Sequence, residues 1–140
     1  MLRLHVPLTP ETDALLTRAM FPDPARLQAT LRRYRTDPDW QLHIWEVSGL
    51  PVSAAGLTIN GDAGTVQHLG TRPDHTRQGH ARALLHGLTT ALNLGTLSAD
   101  TDEDAADFYR RSGFRTQELP SPWGRRYRCT LERWATSVER

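Results

Sequence analysis

At 140 residues and 15.8 kDa the chain has the length of one domain, which excludes a pair of full catalytic domains. Hydrophobic residues make up 38% and charged residues 24%, enough apolar material for a core and too little charge for a disordered chain. Lys plus Arg total 17 against 16 acids, a formal charge of +1, so no whole-molecule field draws the chain to nucleic acid or to an anionic membrane.

Leu2 to Val6 alternates apolar and polar residues up to Pro7, the pattern of a first strand. Thr9-Pro10-Glu11-Thr12 puts a capping residue before a proline and an acid, and Leu15, Leu16 and Ala19 form one apolar face, so the next element is a helix. Asp23-Pro24 repeats the start signal. Leu27, Leu31 and Tyr34 then keep helical spacing until Thr36-Asp37-Pro38 stops the second helix. From Trp40 the period becomes two, and turns at Ser48-Gly49-Leu50-Pro51 and Asn60-Gly61 divide residues 40–71 into a three-stranded antiparallel meander. Ala81, Leu84, Leu85, Leu88, Ala91 and Leu92 stripe a third helix that ends at Asn93-Leu94-Gly95. Thr96 to Ala99 reads as a short strand. Thr101-Asp102-Glu103-Asp104 opens a fourth helix with Ala105, Phe108, Tyr109 and Ser112 on one face, closed by Gly113-Phe114. After the loop Pro120-Ser121-Pro122-Trp123-Gly124, residues Tyr127 to Trp134 form the last strand. With no repeat or linker, residues 1–140 are expected to make one mixed α/β domain of order β-α-α-β-β-β-α-β-α-β-β, a central mixed sheet flanked by helices.

The basic residues are all Arg, which removes lysine Schiff-base chemistry and a P-loop lysine. The single cysteine, Cys129, excludes an internal disulfide and every multi-cysteine metal centre, fits a reducing compartment, and reads as a buried small hydrophobe. His75, His80 and His86 lack ligand spacing, so no metal is expected. No run approaches ~18 apolar residues. The opening Met1-Leu2-Arg3-Leu4-His5-Val6-Pro7 lacks a signal-peptide core, and a cytoplasmic location is expected. Arg32-Arg33-Tyr34-Arg35 and Arg125-Arg126-Tyr127-Arg128 interleave Arg with aromatics. At this net charge they are better explained as solvated faces or the rim of an acidic-substrate site than as a nucleic-acid surface. Trp40, Trp45 and Trp123 are candidates to line an acceptor pocket, with Trp45 more readily a core residue.

The most informative segment is Arg77-Gln78-Gly79-His80-Ala81-Arg82, between a strand and an amphipathic helix. A helix N-terminus leaves N–H groups unpaired, so a diphosphate can be held there by main chain, with Gly79 and Ala81 allowing close approach and Arg72, Arg77 and Arg82 adding charge. Alone, this pattern marks only a possible anion site. Residues 69–85, followed by Asp102 to Phe114, closely resemble the GNAT superfamily of acetyl-CoA-dependent N-acetyltransferases. The family's loop Q/R-x-x-G-x-G/A falls on Thr76 to Ala81, with Thr76 where the family has Gln or Arg. A second motif, N-x-x-A-x-x-x-Y-x-x-x-G-F, matches Ala105, Tyr109, Gly113 and Phe114, with Asp102 in the asparagine position.

The resemblance implies a fold in which the strands at 65–71 and 96–99 splay, and the pantetheine arm of acetyl-CoA, a co-substrate, fills the wedge. Leu69, Gly70 and Thr71 would offer main-chain groups to the arm and to the acetyl carbonyl, and Arg77, Gln78, Gly79, His80, Ala81 and Arg82 would hold the diphosphate. Asp102 is carried over as a cofactor-side residue, although a helix cap explains it as well. Tyr109 matches the general acid that protonates the departing thiolate. The strand Thr65-Val66-Gln67-His68-Leu69 contains no acid, so His68 is the best substitute base by chemistry, a structural histidine being the alternative reading, with Asp100 and Asp102 as other candidates. The resemblance thus implies direct acetyl transfer to a small-molecule or peptide amine in a ternary complex and makes a homodimer a hypothesis, while the net charge and the lack of an apolar span give neither nucleic acid nor membrane as an expected partner. Two other readings use the same residues: an acyl-CoA-binding sensor without catalysis, and an Arg-rich nucleic-acid module whose binding would depend steeply on salt.

Overall fold

The computed structural model of the chain describes residues 1–132. The elements are β1 (Leu2–Arg3), α1 (Pro10–Thr17), α2 (Pro24–Thr36), β2 (Trp40–Val47), β3 (Leu50–Asn60), β4 (Ala63–Thr71), a 3-10 turn (Pro73–His75), α3 (His80–Ala91), β5 (Thr96–Asp102), α4 (Glu103–Arg111), β6 (Arg115–Leu119) and β7 (Arg126–Glu132). This is the mixed α/β order the sequence predicts. The last two residues of the predicted final strand, 133 and 134, lie outside the described residues.

The first strand is shorter than its alternation suggests. His5 adopts φ 51°, a conformation unfavourable for a residue with a Cβ, and its N–H leaves the ladder to donate to Nδ1 of His43 at 3.1 Å. The fourth helix starts later than Thr101, because β5 runs on through Asp102 and Asp102 itself caps α4.

Seven strands form one sheet in the order β1-β2-β3-β4-β5-β7-β6. Every neighbouring pair is antiparallel except β4 and β5. Helices cover both faces. Leu84, Leu85 and Leu88 of α3 and Ala106 and Tyr109 of α4 pack with Ala55, Leu57, Val66 and Leu97 on one face, while Leu15 and Leu16 of α1 meet Leu42, Ile44 and Ala54 on the other. Alternate strand residues serve opposite faces, so neighbours such as Ala54 and Ala55 belong to different cores. The three α3 leucines are fully buried, each contributing about 1.5–3 kcal/mol by leaving water.

Two features of β4 shape the centre of the sheet. Its parallel pairing with β5 covers only Ala63↔Thr96, Gly64↔Leu97 and Thr65↔Ser98, beyond which the strands part. Against β3 the register moves from Gly56↔His68 to Leu57↔Val66, leaving Gln67 as the extra residue of a bulge. Without it Val66 and His68 would share a face. With it Val66 enters the α3 core and His68 turns toward α2.

Candidate active site

Where β4 and β5 part, a cavity of about 810 Å³ passes through the sheet. Val66 to Leu69 and Thr71 line one side and Ala99 to Asp102 the other, Phe108 and Tyr109 of α4 close one face, and the connector Arg18–Pro22 borders the other. Parted strands leave main-chain N–H and C=O groups that need partners. The Arg72 N–H donates to the Val52 carbonyl of β3 at 2.8 Å. By strand alternation the main-chain groups of Leu69 and Thr71 therefore point away from β3, toward the wedge, while those of Gly70 face Ala54. Gly70 is paired with Ala54 of β3. A Cβ there would lie 1.9 Å from the Leu15 carbonyl oxygen, so its missing side chain is what lets α1 lie on β4.

A second cleft of about 450 Å³ adjoins the wedge at Thr71, Ala81 and Phe108 and surrounds the start of α3. Gly79 stands at the N-cap with φ 83° and supplies no side-chain cap, and the first helical bond runs from the Ala83 N–H to the Gly79 carbonyl. The N–H groups of His80, Ala81 and Arg82 consequently have no partner inside the helix. Arg77 also takes positive φ, 62°, so the loop alternates handedness in the manner of a main-chain anion nest. A Cβ on Gly79 would meet nothing within 4 Å: the space over the helix start is open. Arg77, Arg82 and Arg111 border the cleft; Gln78 does not, its amide oxygen lying 3.1 Å from Nε2 of His80. Asp102 accepts from the Ala105 N–H at 2.9 Å, so its observed work is capping α4, although it also borders the wedge.

Tyr109 lines the wedge with its ring 5.1 Å from those of Phe108 and Phe114, and burial, with a smaller contribution from Cys129, pushes its phenol above its ordinary range. It therefore keeps its proton at neutral pH. His68 faces the same cavity, and its Nδ1 lies 2.6 Å from the hydroxyl of Tyr34. Burial lowers the pKa of His68, favouring the neutral ring, and raises that of Tyr34. Tyr34 reaches this position over Gly56, where a Cβ would lie 1.7 Å from the phenol oxygen, and the Trp40 ring packs edge-on against it at 5.1 Å. Asp100 is held by Arg128, whose Nε and Nη2 donate at 2.9 and 3.1 Å.

Sequence reasoning misses Tyr34 as a site residue: its helical spacing marks only an apolar face, and the available signal is the small Gly56 opposite His68. None of the three tryptophans considered for an acceptor pocket lines the wedge. Trp40 packs on Tyr34, Trp45 on the α3 core, and Trp123 is exposed. Among the described residues no group of three or more His, Cys, Asp or Glu is arranged to hold a metal, and no helix is long and apolar enough to cross a membrane.

A sheet parted between its fourth and fifth strands beside a bare helix start offers unpaired main-chain groups to an extended ligand and a helix N-terminus to an anion. The family model for an acetyltransferase (GNAT) domain matches residues 11–121, and the chain belongs to that family. Its fold is also that of solved acetyltransferases. A Bacillus subtilis acetyltransferase in complex with CoA superposes with TM-score 0.71 at 14% identity, over 94% of this chain and 97% of that one. The ribosomal-protein-S18-alanine N-acetyltransferase of Escherichia coli gives 0.64 at 22% identity, over 93% and 91%. A spermidine N-acetyltransferase of Vibrio cholerae gives 0.69 at 16%, over 96% and 95%.

Proposed function

We propose that this chain is an N-acetyltransferase that moves the acetyl group of acetyl-CoA to an amine by direct attack in a ternary complex. The observation that carries the reading is the continuity of two features: the strand edges parted after Thr65 and Ser98, and the α3 N-terminus at Gly79, which has no side-chain cap. An extended, amide-bearing arm suits the first and a diphosphate the second. Bound there, the co-substrate supplies an acetyl thioester.

The chain's own residues do the rest. The N–H groups of His80, Ala81 and Arg82 bind the diphosphate, with Arg77 and Arg82 adding charge. Leu69 and Thr71 pair main-chain groups with the arm and orient the acetyl carbonyl. His68 removes a proton from the incoming amine at Nε2 while Nδ1–H donates to the Tyr34 oxygen. Tyr109 gives its proton to the sulfur that leaves. The arrangement needs no covalent acyl-enzyme, and buried Cys129, its thiol pKa raised mainly by burial, is unsuited to form one.

Calorimetric titration of acetyl-CoA, followed by turnover measurements on Tyr109→Phe, tests the reading. The variant is expected to keep its affinity and lose about a hundredfold in kcat against an amine panel. Unchanged turnover would remove Tyr109 as the acid, and failure to bind acetyl-CoA would sink the whole assignment. An acyl-CoA sensor would bind without turnover in the wild type. The dimer expected from resemblance is checked by mass in solution.

A further inference from the structure

Away from α4, the wedge is bordered by the Arg18–Pro22 connector and by residues of β5 and β7. Four charged side chains border the cavity: Arg18, Asp100, Asp102 and Arg126. Both carboxylates are already engaged. Asp100 lies in a two-pronged bond with Arg128, and Asp102 faces the N–H groups at the start of α4. The two cations are not matched in this way. Neither Arg18 nor Arg126 has a carboxylate within ion-pairing distance among the described residues, and Arg126 makes only a 3.5 Å contact from Nη2 to the Asp100 carbonyl. Arg126 stands opposite Asp102 in the β5/β7 register, yet the Asp102 carboxylate is turned to the helix instead. Counting Arg128, which binds Asp100, the rim's three arginines and two carboxylates leave one positive charge over.

A cationic rim disfavours a polycationic acceptor by like-charge repulsion and favours one that brings an anion of its own. These two arginines are also distinct from those of the diphosphate cleft, where Arg77, Arg82 and Arg111 lie around the start of α3. The connector adds apolar surface, with Phe21 63% exposed and Arg26 stacked over its ring at 4.8 Å. Resting on the acetyl-transfer reading above, we infer that the acceptor is an amine carrying a carboxylate, and that Arg18 and Arg126 are the residues that select it. The amine enters toward His68 while the carboxylate stays at the rim between the two guanidinium groups, each suited to paired hydrogen bonds with a planar anion.

The test uses the full chain saturated with coenzyme A, so that acceptors bind without turning over. Its affinity is measured by calorimetry for matched probes: phenylalanine, its carboxamide, 2-phenylethylamine, aspartate, its diamide, and spermidine. The carboxylate-bearing amines are expected to bind about tenfold tighter than their neutral counterparts and tighter than spermidine. Arg18→Gln and Arg126→Gln should each remove most of that margin while leaving coenzyme A affinity within about twofold. Equal binding of acid and amide, preference for spermidine, or no binding of any carboxylate-bearing probe overturns the inference. Coenzyme A binding, measured first, separates the cases. Its absence defeats the transferase reading and this one with it, whereas its presence assigns any failure to the amine arm alone.

Discussion

Tyr34 and His68 come from elements far apart in sequence, and the absence of one side chain lets them meet. Gly56 is not at a positive-φ turn; it lies inside β3, where glycine is ordinarily unfavourable, opposite His68. The reason is space, since a Cβ would fall 1.7 Å from the Tyr34 oxygen and 2.4 Å from the ring carbon bearing it. Gly56→Ala is expected to push the phenol off β3, cost about 1–3 kcal/mol through overpacking, and free Nδ1 of His68. Urea unfolding measures the first effect and imidazole nitrogen shifts the second. If His68 keeps its shifts while stability falls, the two rings are not coupled through this bond. Tyr34→Phe provides the complementary variant, removing the hydroxyl without crowding the strand.

At the scale of elements, helix starts decide what each motif does. Both α3 and α4 begin beside the wedge, but one is left bare under a glycine and the other is closed by Asp102, which accepts from the Ala105 N–H. Asp102→Ala should therefore cost about 1 kcal/mol, and Asp102→Asn should recover most of it because asparagine caps equally well. Thermal melts of the two variants decide this. A deficit shared by both would give the carboxylate charge, and not the cap, the stabilising role. These starts are legible in the sequence because capping residues, prolines and 3/4 spacing act locally, and the same holds for the hairpin at Asn60-Gly61. The wedge is legible only through the family resemblance, since parted strands depend on how far two distant segments pair. The bulge at Gln67 is not legible at all. It moves His68 to the opposite face by inserting one residue against β3, and no side chain in Thr65-Val66-Gln67-His68-Leu69 announces it. The need for glycine at position 70 is not legible either, because it comes from the approach of the Leu15 carbonyl from another element.

For the molecule as a whole, the sheet carries an acid-sensitive group far from the chemistry. His43 is fully buried in β2, accepting from the His5 N–H at Nδ1 and donating from Nε2 to the Gln41 side-chain oxygen at 2.9 Å. Both nitrogens are thus used by the neutral ring, and a second proton would destroy the acceptor at Nδ1. Burial, with a smaller contribution from neighbouring His5, pushes the folded pKa down to about 4 from the ordinary 6.5. Between those values the unfolded chain binds more protons than the folded one, so stability rises with pH there. The contribution is whole above about pH 6.5 and drains away as pH falls toward 4, amounting to about 2 kcal/mol between pH 7 and pH 5. His68, lowered by burial as well, acts in the same direction. Replacing His43 with Gln removes the proton-binding site, so the variant should start less stable at pH 7 and lose less on acidification. Urea-unfolding free energies of both proteins at pH 7, 6 and 5 measure the difference in slope. Parallel curves would place the acid sensitivity elsewhere; a shallower curve for the variant assigns it to the packed imidazole that joins His5 to β2.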